Sequence, residues 1–429
     1  MTATAFRITP PHRRDLLLTL WLALLGADRL DLFGGATTFS LTPFLALTPV
    51  LVVRLLVGRL RVPTALAIPR PALKYVALVC ALVVVAGLSV FVSPDPSLSA
   101  QRTFLLAVQI VGSLVVVLLR PDLRADPERM LPGVKLGLLL FVVFNVMQGL
   151  TFLGRLPQDI HLGPIVLHTI ASEYAGLVPR LSGSAFDPNR GGILLVFYLA
   201  IVLQVRKRSL ARSHNLSGTP WVLLILLLLL GTLSRSSVLA ATILVVLTIL
   251  QRSRLRLHPA SVIVGAMIVL GSAVYLVFVP RTFGLLARAS APLASRFSVA
   301  EGSAQGHMAL LRRGIADATS SVPTLAIGRG FGSSYVFLQD LFPGSRYGNY
   351  HSLYVSMFAE SGIVALALVL VIALVPAVRA GPYRPLVAAL AVFNVFYQLT
   401  TEPLFWTIIA LSWSTLVIHD ASHVRRTEA

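Results

Sequence analysis

An all-α polytopic membrane protein with about twelve transmembrane helices is the fold class that this 429-residue sequence predicts. Three observations carry that prediction. The chain is 56% hydrophobic and only 12% charged, with a mean hydropathy of +0.83. Apolar runs recur along its length, most of them near the ~20 residues needed to cross a ~30 Å hydrocarbon core. The basic residues gather in alternate short gaps between those runs, which is the pattern of membrane orientation.

In chain order the runs fall near 15–34, 38–57, 73–93, 103–119, 131–153, 191–205, 217–232, 236–251, 261–280, 352–378, 385–400 and 403–419. The first is the weakest, because Asp28, Arg29 and Asp31 stand near its end. It has no small-residue cleavage site and more spans follow, so it is expected to remain in the membrane. Residues 217–251 form one nearly unbroken apolar stretch, too long for a single span at 1.5 Å per residue, and are split at Gly-Thr-Leu-Ser-Arg-Ser-Ser, 231–237. All twelve runs are expected to form a single membrane domain, residues 1–429.

The net charge is +19 and the pI about 11.2, which taken alone would suggest a nucleic-acid partner. The placement of the charges argues instead for the bilayer, and no nucleic acid is expected. With the N-terminus inside and the spans alternating, every short inner segment is basic and all three lysines, Lys74, Lys135 and Lys207, fall there. The positive-inside rule then puts both termini in the cytoplasm. The single cysteine, Cys80, lies within an apolar run and permits no disulfide in one chain.

Two outer segments are long, 154–190 and 281–351, and long connections between tightly joined spans are where function is sought. Apolar patches in the second predict short helices lying at the membrane surface. The outward polar groups include Arg180, Ser182, Ser184, Asp187, Asn189 and Arg190 in the first segment, and Arg312, Arg313, Asp317 and Arg329 in the second. Arg235 has no charged neighbour between Trp221 and Gln251. It is either a turn residue snorkelling to headgroups or an anion ligand, for which its planar donor fork is suited. Gly183, Pro188 and Asn189 read as a turn before a span, with Asn189 a candidate helix cap. Gly-Arg-Gly-Phe-Gly-Ser-Ser, 328–334, lacks the phosphate-loop lysine and reads as a tight backbone turn.

His351 precedes the run at 352–378. It is either a helix cap or a general base, since imidazole titrates near 6.5 and takes up a hydroxyl proton at neutral pH. On a continuous helix over 351–366, His351, Tyr354, Phe358 and Gly362 would share a face and Glu360 would point away. Asp317, Glu402 or a backbone carbonyl is then the expected orienting partner of His351. No acidic or histidine pair has metal-ligand spacing, so neither metal nor other cofactor is expected; an arginine-lined site suits an anion such as a diphosphate.

Three stretches together resemble the O-antigen ligase and O-antigen polymerase superfamily. They are His351-Ser352 with Gly362 downstream, Arg180-x-x-Gly183 followed by Pro188-Asn189, and Ser234-Arg235 between two spans, with Gly-Arg-Gly-Phe-Gly upstream of the histidine. Their order and spacing match over most of residues 130–420. The resemblance implies a glycosyltransferase of the GT-C type in a bacterial plasma membrane. Such an enzyme moves a glycan from an undecaprenyl-diphosphate carrier to an acceptor sugar hydroxyl on the extracytoplasmic face. It implies inversion at the anomeric carbon, no metal, His351 as base, and Arg180 and Arg235 on the diphosphate with Arg190, Arg312 or Arg313 assisting. The acceptor is either another carrier-linked glycan, as for a polymerase, or a lipid or protein anchor, as for a ligase. The alternative from another class is a multi-span transporter or flippase for an anionic or lipid-linked solute. Transporter sites sit near the midplane, often at broken helices, whereas these polar groups cluster outside.

Overall fold

A computed structural model describes residues 15–34, 41–61, 68–174, 178–212, 219–252, 302–344, 348–379 and 381–427. The predicted span at 261–280 and the start of the second outer segment lie outside the described residues. Most of the described chain is helical: α1 (Leu16–Ala23), α2 (Pro43–Arg61), α3 (Arg70–Ser89), α4 (Pro96–Leu119), α5 (Leu131–Phe152), α6 (Pro188–Arg212), α7 (Thr219–Gly231), α8 (Arg235–Arg252), α9 (Gly302–Ala318), α10 (Val322–Ile327), α11 (Ser334–Phe337), α12 (Leu353–Arg379), α13 (Arg384–Phe396) and α14 (Pro403–Thr427).

Six of the described helical segments are long and apolar enough to cross a bilayer: Pro43–Leu60, Arg70–Val92, Pro96–Leu119, Pro127–Phe152, Pro188–Arg206 and Leu353–Arg379. Four further apolar helices, α7, α8, α13 and the first part of α14, are shorter. At the core of the bundle is α6, apolar all round, with every residue from Ile193 to Val202 buried. The outer helices turn apolar faces outward instead. Leu223 and Leu227 of α7 are 62% and 68% exposed, a surface that only lipid can cover without cost.

The first predicted span is corrected. Its helix, α1, has eight residues, roughly 12 Å of rise, and the chain then turns into strand β1 (Leu30–Asp31). The cause is the charged triplet: Arg29 is fully buried and spends its donors on an outer loop rather than in lipid. The split of the long apolar stretch falls at 232–234, between α7 and α8.

The outer segment 154–190 is more ordered than a loop. Strands β2 (Asp159–Leu162) and β3 (Ile165–His168) form a hairpin, and β1 adds to the free edge of β3, so the sheet order is β1-β3-β2. A second hairpin pairs β4 (Ser172–Tyr174) with β5 (Val178–Arg180). The second outer segment contains the short helices α9, α10 and α11.

A continuous helix over 351–366 does not form. His351 lies before α12, with a left-handed φ of 51°, and the helix is interrupted at Gly362, φ 80°. A side chain at Gly362 would strike the Ala326 carbonyl of α10, so only glycine lets the two pack. The interruption costs the carbonyls of Ala359 and Glu360 their partners one turn on. The glycine-rich turn supplies replacements, with Arg329 N–H donating to Ala359 (3.0 Å) and Gly330 N–H to Glu360 (2.9 Å). Gly328, Gly330 and Gly332 all have positive φ there, and Gly332 N–H donates to the Glu360 carboxylate at 2.9 Å.

Candidate active site

The turn before α6 is built by Asp187. Its Oδ1 accepts from the backbone N–H groups of Asn189 (2.7 Å) and Arg190 (3.3 Å), so Asp187, rather than Asn189, caps the helix. Asn189 reaches sideways instead. Ser234 Oγ donates to its Oδ1 at 2.7 Å, and Ser237 Oγ donates to its backbone carbonyl at 3.3 Å. On the adjoining strand, Arg180 Nε donates to the Thr232 carbonyl at 3.2 Å, and Leu181 N–H donates to Gly231 at 3.0 Å. Arg180, Asn189 and the turn carrying Arg235 are therefore one packed unit. Arg235 is the first residue of α8, and the turn before it holds Leu233 at φ 52°.

Gly183 makes the approach of this turn to α5 possible. Its φ is +60°, and any side chain there would collide with the Phe141 ring. Gln148 Nε2 donates to its carbonyl at 2.7 Å, and its N–H donates to Asn145 Oδ1 at 2.9 Å. Pro188 opens α6 as its first residue, where a missing N–H costs nothing.

His351 faces this unit across the site. Its backbone N–H donates to Asn349 Oδ1 at 2.8 Å, which holds the left-handed turn. Burial pushes its imidazole below the ordinary range, and the Asp187 carboxylate pulls the other way. His351 is therefore neutral at pH 7, the form a base requires. The expected orienting partners are engaged elsewhere. Asp317 accepts from Tyr350 Oη at 2.8 Å and pairs with Arg313 and Arg329. Glu402 pairs with Arg190. Among the described residues the Nδ1 of His351 is buried without a hydrogen-bond partner. Its ring is packed by two others, His307 at 4.7 Å between centroids and Tyr397 at 6.3 Å.

The remaining candidates divide by position. The Arg190 guanidinium is shared between Asp28 and Glu402, both at 2.7 Å, and so ties the α1–β1 turn and the start of α14 to α6. Burial lifts Glu402 to about 7, opposed by Arg190. Arg312 and Arg313 are exposed on α9, with Arg313 paired to Asp317 at 3.3 Å. Gly362 lies at the interruption of α12, supporting the helix that follows the histidine rather than sharing a face with it.

Sequence reasoning passed over three contributors. Arg29 donates to the carbonyls of Ala185 and Ile170 and to Ser182 Oγ, each at 2.7 Å, and so clamps the 182–187 turn. Burial lowers it only to about 10, so it stays charged. Its signal was the charge placed where an apolar run should continue. His307 and Tyr397 gave none, since each sits in an ordinary helical or turn context far from His351 in the chain.

Residues 220–370 match the O-antigen ligase family model. This is the superfamily that the three motifs resemble. The match covers about a third of the chain, and the apolar helices are those of a multi-pass membrane protein. The O-antigen ligase match runs from α7 to α12 and takes in Ser234, Arg235, His307, His351 and Gly362, while Arg180 and Asn189 lie upstream of it. No curated protein matches the chain.

Proposed function

We propose that the protein is a metal-independent, inverting GT-C glycosyltransferase of the bacterial plasma membrane. Its donor is an undecaprenyl-diphosphate-linked glycan and its acceptor a sugar hydroxyl, on a second carrier-linked glycan or on a lipid. The spans form one membrane domain with both termini in the cytoplasm, and the outer segments 154–190 and 281–351 carry the site on the extracytoplasmic face. The observation that carries the reading is the convergence of three distant motifs. Asn189 is bonded to Ser234, Arg180 to the turn before Arg235, and Asp187 lies within electrostatic reach of His351.

In this reading His351 takes the proton of the attacking hydroxyl, a contribution of roughly 10²–10⁴-fold. The hydroxyl oxygen attacks the anomeric carbon from the face opposite the leaving group, and the bond to the diphosphate oxygen breaks. Arg180 and Arg235 hold the diphosphate, on which charge builds as that bond breaks. Each charge-assisted hydrogen bond contributes about 1.5–3 kcal/mol. Arg312 and Arg313, exposed on α9, are placed to meet an incoming anion; Arg190, held by two carboxylates, supports the site instead. Neither cofactor nor divalent ion enters these steps.

The test uses purified enzyme with a polyprenyl-diphosphate glycan, following release of the polyprenyl diphosphate. His351→Ala is expected to lose turnover by at least about 10²-fold with donor binding retained. Arg235→Ala is expected to weaken both. Full activity of His351→Ala would remove the base and move the transporter reading to the front.

A further inference from the structure

A histidine that serves as a base normally has one ring nitrogen fixed by a hydrogen bond, which sets both tautomer and ring plane. His351 has none on Nδ1 among the described residues, although that atom is buried. What holds the ring is packing. The His307 imidazole stands edge-on to it at 73° with centroids 4.7 Å apart, and the Tyr397 ring lies at 60° and 6.3 Å. The helix that carries His307 is itself anchored to the backbone beside His351. Gly314 lies so close to Tyr350 and Val355 that any side chain there would overlap them, and Asp317 at the end of α9 accepts from Tyr350 Oη. His307, Leu310, Gly314 and Asp317 recur at helical spacing, which turns one face of α9 toward the chain around 350–355.

We propose that His307 is the positioning residue for His351: its edge-on imidazole sets the ring plane of the base, and the two rings take up their first proton as a pair. The inference rests on the reading of His351 as base. Two imidazoles in contact share that first proton, so the pair titrates above the value of either ring alone. A proton on His307 also puts a like charge against the ring that must accept one, and blocks turnover. The titratable and charged groups facing His351 include His307 from α9, Tyr397 after α13 and Asp187 before α6. Arg190 and Glu402 lie within electrostatic reach of Tyr397.

Two variants separate packing from titration. His307→Phe keeps an edge-on ring and removes the second proton site. We expect its kcat at pH 8 to stay within about threefold of the parent, with the acid limb of the kcat profile moved to lower pH. His307→Ala removes both; its kcat at pH 8 is expected to fall at least about tenfold with KM for the donor little changed, since a misaligned base costs rate rather than binding. Thermal midpoint and donor binding of each variant show that it is folded. An acid limb that stays in place in His307→Phe, or His307→Ala turnover within about twofold, overturns the proposal. His351→Ala run alongside keeps the cases apart: if it is fully active, the base itself is wrong, and if it is dead while both His307 variants behave as the parent, only the role of His307 fails.

Discussion

At His351 the chain accepts a left-handed backbone to present an imidazole, at a cost of order 1–3 kcal/mol. The Asn349 side chain and the packed rings hold that conformation. Burial sets the pH behaviour. A histidine whose pKa lies below 6.5 is neutral at pH 7, so activity should persist to below about pH 6.5 and then fall. Asp187 opposes that shift, so Asp187→Asn, which keeps a carbonyl oxygen for the helix cap, should move the acid limb of kcat to lower pH. A limb that moves upward would show that Asp187 does not act on His351 through its charge. Arg190 is a different kind of residue. Removing it leaves Asp28 and Glu402 facing each other, and breaking such a pair costs about 3 kcal/mol. In thermal unfolding, Arg190→Ala and Glu402→Ala should each lower the midpoint, and the double variant should cost clearly less than their sum. Simple additivity would mean that the two do not interact.

At the level of elements, the interrupted helix and the glycine-rich turn are one device. Gly362 gives up the α12 hydrogen bonds, and the backbone of 329–330 replaces them. Neither piece is stable without the other, because each carries polar backbone groups that the other satisfies. Gly362→Ala should therefore do more harm than an ordinary helix substitution, which would favour alanine by up to about 1 kcal/mol. Here the positive φ and the contact with Ala326 reverse the sign. Loss of folded protein on size-exclusion chromatography, with Ala365→Gly as a tolerated control three positions beyond Gly362, is the expected result. A Gly362→Ala protein as stable as the parent would contradict the account. The motif around Arg180 works similarly: Arg29, from a run that should have been a span, holds the turn that presents Asp187 and Asn189.

For the whole molecule, orientation is the testable property. Cys80 is exposed on an apolar helix, so Cys80→Ser gives a background without cysteine. A cysteine introduced at His161 in the first outer segment should react with a membrane-impermeant maleimide applied to intact cells, and one at Arg124 should react only after lysis. The reverse pattern would invert the topology and with it the face on which the site lies.

Composition, periodicity and charge placement made the helical membrane class, the split of the long apolar stretch and the six long apolar helices legible, because lipid imposes strong local demands on a sequence. The motifs around Arg180, Ser234-Arg235 and His351 could also be read from the chain, since each is a short run of residue types with its own turn chemistry. Tertiary structure decided the rest. That Asp28, Arg29 and Asp31 end the first helix and lead into a strand paired with β3 depends on partners 130 or more residues away. So does the placing of Asp187 near His351, the division of Arg190 between two carboxylates, and the contact of His307 with His351. None of these has a local signature, because a side chain's partner across a bundle is set by how helices pack, and helical periodicity reports which face is apolar without saying what it will meet.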